Sequence, residues 1–122
     1  MKTSELKKLT VEQLVDGYQK AASSHGSATA VHNTRAANKA YALVWLYSKE
    51  LRRRGVDAQR ALLPLLRSGD LEVMVCVARD ALEFAPDVAQ DVLEKVIEAK
   101  VDCSIHAYLI LDAWKSGTLK FS

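Results

Sequence analysis

The sequence predicts an all-α protein of about six helices, folded as three antiparallel hairpins. Three observations predict it. Between turn signals, apolar residues recur at i, i+3 and i+4, and no stretch alternates between apolar and polar. Only two prolines and five glycines interrupt 122 residues, which leaves long stretches free of helix breakers. The segment from Leu62 to Leu82 reads as two short helices folded back on each other, with Pro64 in the first and Asp70 at the turn.

The first helix starts at the capping box Thr10-Val11-Glu12-Gln13, where the Thr10 hydroxyl can accept from the Gln13 amide and the Gln13 side chain can reach back. Val11, Leu14, Val15, Tyr18 and Ala22 form its apolar face, and Ser23-Ser24-His25-Gly26-Ser27 is expected to end it. The second helix starts at Ser27 or at Asn33 and runs to Arg54, with Gly55 just beyond its end. Ala37, Tyr41, Val44 and Leu51 make a stripe that Leu43, Leu46 and Tyr47 widen. With Trp45 included, the middle of this helix is apolar almost all round, which predicts a central position in the fold.

Asp57 is the expected cap of a third helix running from Ala58 to about Leu66 and bent at Pro64. Asp70 caps the fourth, whose stripe is Leu71, Met74, Val75, Ala78, Ala81 and Leu82. The run 73–77 has the β-branched composition of a strand, but the caps and stripe around it are helical. Pro86 opens the fifth at a permitted first-turn position, and Val88, Val92, Leu93, Val96 and Ile97 make its face. Asp102 or Ser104 caps the sixth, with Ala107, Tyr108, Leu111 and Trp114 inward and Gly117 at its end. Leu119 and Phe121 in the tail are expected to fold back onto this last helix.

Residues 1–122 suit a single helical domain with one core. Hydrophobic residues make up 49% and charged residues 26%, and the net charge of +2 is too small to imply nucleic acid or an anionic membrane as the partner. The first fourteen residues carry Lys2, Glu5, Lys7, Lys8 and Glu12 and lack the apolar run of a signal peptide. The longest uncharged apolar stretches, 40–48 and 103–111, are about half the ~20 residues a membrane span needs. Cys76 and Cys103 are isolated, with no CxxC pair, and read as small core thiols in a reducing compartment, with a disulfide between them as the alternative. A cytoplasmic protein with no membrane partner is the expectation.

From Leu62 to Leu82 the chain resembles a HEAT-type repeat: a kinking proline in the first helix, here Pro64, an aspartate in the turn, here Asp70, and a Val near the start of the second helix, here Val73. Met74 stands where the repeat has a basic residue, and Val77-Ala78 where it has two alanines. The usual ladder from aspartate to basic residue between repeats is therefore missing, which suits a short, closed domain. More widely, the chain resembles a small bacterial family, domain of unknown function twenty-nineteen. The residues that carry this are Leu9-Thr10-Val11-Glu12-Gln13-Leu14-Val15, Ala37-Asn38-Lys39, Glu50-Leu51-Arg52-Arg53-Arg54-Gly55, Arg60-Ala61-Leu62-Leu63-Pro64-Leu65-Leu66, Phe84-Ala85-Pro86, and Trp114, Gly117 and Phe121. The resemblance implies a short HEAT-like α-α superhelix and brings no site residues.

No catalytic or cofactor-binding residue stands out, and there is no Gly-rich phosphate loop. His25, His32 and His106 are too scattered along the chain to suggest a metal site, and no HExxH occurs. His106 and Cys103 are an i, i+3 pair lacking the third group of a nucleophilic dyad. Asp80, Glu83, Asp87, Asp91, Glu94 and Glu98 could form an acidic face opposite an arginine-rich end. At that end Arg52, Arg53 and Arg54 suit the C-terminal dipole of their helix, and Arg60 and Arg67 extend the basic patch if the third helix folds back beside them. Trp45 lies off the main stripe and, if exposed, is a hot-spot candidate. The expected partner-binding residues are therefore Trp45, Arg52, Arg53, Arg54, Arg60 and Arg67. The function expected from these features is a non-enzymatic helical-repeat module that binds another protein, without a cofactor. The alternatives are an immunity protein that neutralises a cognate toxin and a nucleic-acid binder acting through the arginine-rich pole.

Overall fold

Thr10 opens the first long helix as the sequence predicts: its hydroxyl accepts from the Gln13 amide at 3.1 Å, and Gln13 Oε1 accepts from the Thr10 amide at 2.8 Å. The computed structural model describes residues 2–121. Among these residues there are seven α-helices, one 3-10 helix and no strand: α1 (Thr3–Leu6), α2 (Val11–Ala30), α3 (Thr34–Arg54), α4 (Val56–Arg60), the 3-10 helix Leu63–Arg67, α5 (Leu71–Ala81), α6 (Pro86–Ala99) and α7 (Ser104–Lys115). Among the described residues no helix is long and apolar enough to cross a membrane.

Three local expectations change. The first helix does not stop at Ser23 but continues to Ala30. Its polar residues there make tertiary bonds instead of breaking the helix: Ser23 Oγ donates to Asp70 Oδ2 at 2.8 Å, and His25 reaches Glu72. Gly26 lies where a Cβ would come within 2.8 Å of Glu72 Cβ, so it is the residue that lets α2 approach α5. The expected third helix is divided into α4 and the 3-10 helix. Pro64 sits in the first turn of the latter, where its missing amide costs nothing, and Asp57 lies in the first turn of α4 without capping it. Neither Asp102 nor Ser104 provides a side-chain cap for α7. Ser104 Oγ instead accepts from the Val101 amide and donates to the Val96 carbonyl, tying the turn to α6.

Other boundaries agree. Asn33 caps α3 by accepting from the Ala36 amide, and Asp70 caps α5 by accepting from the Glu72 and Val73 amides. Short connections at 31–33, 82–85 and 100–103 make α2 and α3, α5 and α6, and α6 and α7 antiparallel neighbours, each pair packed along its length. Leu14, Tyr18, Leu51, Leu62, Val73, Val77, Leu93 and Val96 are fully or almost fully buried in one core. Leu119 and Phe121 pack against that core, so the tail does fold back. The central helix is α5 and not, as its apolar middle predicts, α3, whose Leu43, Trp45 and Leu46 are only partly buried. Helix α5 contacts α2, α6, α7 and the 3-10 helix and is buried on nearly every side.

Candidate functional site

A helix buried on every side has no solvent face for its polar residues, yet α5 carries four: Glu72, Cys76, Arg79 and Asp80, all buried. They lie at i, i+4, i+7 and i+8 and so form a single stripe. Glu72, Arg79 and Asp80 have found partners on the surrounding elements and Cys76 bonds to Glu72 on its own helix, because a buried polar group without a partner is costly.

At the C-terminal end of the stripe, Tyr18 Oη donates to Asp80 Oδ2 at 2.7 Å and Arg79 Nη1 donates to Asp80 Oδ1 at 3.1 Å. Burial pushes the Asp80 carboxyl up, against the opposing pull of Tyr18, Arg79 and Ser48. The Arg79 guanidinium also stacks over the Trp45 ring, 4.3 Å from its centroid, and donates to the Lys120 carbonyl in the tail. This network joins α2, α3, α5 and the tail. Asp80 therefore belongs to the core and not to an acidic face.

At the N-terminal end, His25 Nδ1 from α2 lies 2.8 Å from Glu72 Oε1, and His106 Nδ1 from α7 lies 2.9 Å from the same oxygen. Cys76 Sγ donates to that oxygen at 3.6 Å. Burial alone would raise the Glu72 carboxyl, but the hydrogen bonds from His106 and His25 outweigh it and bring it down from 4.5 to about 2. The group is thus a carboxylate, and burial holds Cys76 as a thiol with its pKa well above the usual range. Tyr41 from α3 closes the cluster with its ring 4.9 Å from His25 and 5.6 Å from His106, centroid to centroid. Burial raises the Tyr41 phenol to about 12. The two imidazoles form one wall of an open cleft of about 440 Å³, which Ser23, Gly26, Asp70, Asp102 and Cys103 help to line.

Sequence reading passed over this constellation. His25 and His106, taken as too scattered, stand 47 residues before and 34 residues after Glu72, and only helix packing brings them together. His32 does stay apart, exposed in a left-handed turn after α2. A signal was nonetheless present: the Glu72, Cys76, Arg79, Asp80 stripe inside a helix with apolar residues on its other sides.

The family model for the domain of unknown function DUF2019 matches residues 12–114. The chain belongs to this family. No curated protein and no solved structure matches it. The DUF2019 match takes in α2 through nearly all of α7 and so includes every residue of the Glu72 cluster.

The residues singled out in this DUF2019 chain as a partner-binding set are placed as follows. Arg53 Nε and Nη2 donate to the two oxygens of Glu50 at 3.0 and 2.7 Å, and Arg54 Nε donates to Glu50 Oε2 at 2.8 Å. Arg54 Nη2 also donates to the carbonyls of Leu6 and Lys7, satisfying the end of α1. Arg52 pairs with Glu83 at 2.7 Å, and Arg60 sits 6.0 Å from the Phe84 ring centroid. The structure thus brings Arg52 and Arg60 to one turn, 83–84, and directs Arg53 and Arg54 to Glu50. Arg67 is exposed at the end of the 3-10 helix, and Trp45 is half-buried beneath Arg79. Three of the six cations and aromatics therefore face carboxylates of their own chain.

Proposed function

We propose that the protein is a non-enzymatic helical-repeat module of the bacterial cytoplasm that binds another protein along the outer face of α7. The observation that carries this reading is the exposure of Ile105, Tyr108 and Leu109, at 72%, 56% and 58%. They lie at i, i+3 and i+4 and form one stripe, while Ala107, Ile110 and Leu111 on the opposite face are buried. A helix apolar on both faces is usually covered on both. Isoleucine, tyrosine and leucine at this spacing suit a partner helix laid along α7, with Tyr108 as the anchor that keeps its hydroxyl in water. The free thiols Cys76 and Cys103 fit a reducing compartment.

The test is capture from a lysate of the source cells, with the full chain as bait at micromolar concentration. Wild type and a control altered on the exposed side of α3, Arg35→Glu, are expected to retain the same partner, and Leu109→Glu is expected to lose it. Equal capture by wild type and Leu109→Glu would overturn the reading. So would light scattering that shows a dimer of the chain which Leu109→Glu dissolves, because the occupant would then be a second copy.

A further inference from the structure

We propose that His25, Glu72 and His106 form a binding site for a divalent first-row transition metal, Zn²⁺ foremost, which clamps α7 to α2 and α5. The three candidate ligand atoms, one from each side chain, lie within 4.8 Å of one another. Two imidazoles and one carboxylate are a donor set suited to Zn²⁺ and its neighbours in the series, and poorly suited to Mg²⁺ or Ca²⁺. Metal–ligand bonds of about 2.0 Å in a tetrahedral arrangement separate ligand atoms by roughly 3.3 Å. The separations of Glu72 Oε1 from His25 Nδ1 and His106 Nδ1, 2.8 and 2.9 Å, need to open slightly to admit an ion, and the gap between the two imidazoles, within 4.8 Å, needs to narrow.

The surroundings fit as well. The three donors come from three different helices, so an ion would replace the hydrogen bonds that now join them through Glu72 with a coordinate cross-link. Both histidine side chains are mostly but not fully buried, at 16% and 24% exposure, and they face the open cleft. Water or a small anion has access from that cleft to any coordination position the protein leaves open. The proton balance is simple. A neutral imidazole that bonds to the Glu72 carboxylate through Nδ1 must carry its proton there, because the carboxylate oxygen can only accept. On ligation through Nδ1 that proton moves to Nε2, at the cleft, and no net charge leaves the imidazoles. Glu72 exchanges its hydrogen bonds for a bond to the metal.

The test uses the full chain freed of metal, titrated with Zn²⁺ by calorimetry, and with Co²⁺ by visible spectroscopy. One equivalent of Zn²⁺ is expected to bind and to raise Tm, because the ion binds the folded chain in preference to the unfolded one. His25→Ala and His106→Ala are each expected to weaken binding by more than about tenfold, since even loss of a group that only supports a ligand costs about that much. His32→Ala is expected to bind as wild type does. Co²⁺ in the wild-type chain is expected to give the visible bands of a four- or five-coordinate site, a readout that requires no variant to fold. Absence of stoichiometric Zn²⁺ binding by the wild type would overturn the proposal. So would equal binding by wild type, His25→Ala and His106→Ala, or a purely six-coordinate Co²⁺ spectrum. The proposal stands apart from the partner face on α7, since Leu109→Glu is expected to bind Zn²⁺ normally.

Discussion

His25 and His106 stand with their ring centroids 5.7 Å apart, on α2 and α7, and address the same oxygen of Glu72. Neither helix needs the other for its own hydrogen bonds. The shared carboxylate on α5 is what relates them, and with the Tyr18–Asp80 contact it ties both ends of the central helix to its neighbours. Polar residues here act as tertiary fasteners within an apolar frame.

Gly26 sets how closely α2 can approach that fastener. Replacing it with alanine gains about 1 kcal/mol of helix propensity. The added Cβ would lie 2.8 Å from Glu72 Cβ, a position fixed by the α5 backbone, and such overpacking costs about 1–3 kcal/mol. Gly26→Ala is expected to lower stability by up to about 2 kcal/mol in urea denaturation. A midpoint equal to or above wild type would show that the helices part without strain.

Glu50 makes the fold sensitive to acid. The Arg53 hydrogen bonds, helped by Arg54 and opposed by burial, bring its carboxyl from 4.5 to about 2. A carboxyl lowered on folding stabilises fully above its unfolded value and progressively less as the pH falls toward its folded one. Its contribution is therefore intact at neutral pH and is lost between about pH 4.5 and pH 2. Glu50→Gln is expected to be less stable than wild type at pH 7 and to show a shallower decline across that window, as followed by urea midpoints at each pH. Parallel curves for the two proteins would contradict this.

Much of the fold was legible because caps are local. Thr10 with Gln13, Asn33, Asp70 and Pro86 each act within four residues and each marks a helix start, Asn33 being the one taken of the two starts, Ser27 and Asn33, that the sequence offers for α3. Reading failed where a residue's partner is distant. Ser23 and His25 resemble a break until Asp70 and Glu72 are seen opposite them, and Arg54 resembles part of a free basic end until the carbonyls at the end of α1 claim it. The Glu72 cluster was hidden for the same reason, since its members acquire meaning only when α2, α5 and α7 pack.

Lys100 ends α6 in the left-handed conformation, with φ of 51°, where a side chain costs about 1 kcal/mol relative to glycine. It is exposed, so little packing is lost on its removal. Lys100→Gly is expected to raise stability by roughly 0.5–1 kcal/mol, offset in part by the freer unfolded chain. A thermal scan that shows a lower Tm would mean that the lysine side chain contributes more than its backbone conformation costs.

The shared carboxylate makes its own demand on the histidines. An ionised Glu72 oxygen can only accept, so both Nδ1 atoms that face it must carry protons. Long-range ¹H–¹⁵N spectra of the metal-free protein at mildly alkaline pH read the tautomer of each imidazole directly. His25 and His106 are predicted to be protonated on Nδ1, in contrast to exposed His32, and to lose that preference in Glu72→Gln. If both appear with Nδ1 bare and Nε2 protonated in the wild-type protein, Glu72 does not join α2 to α7.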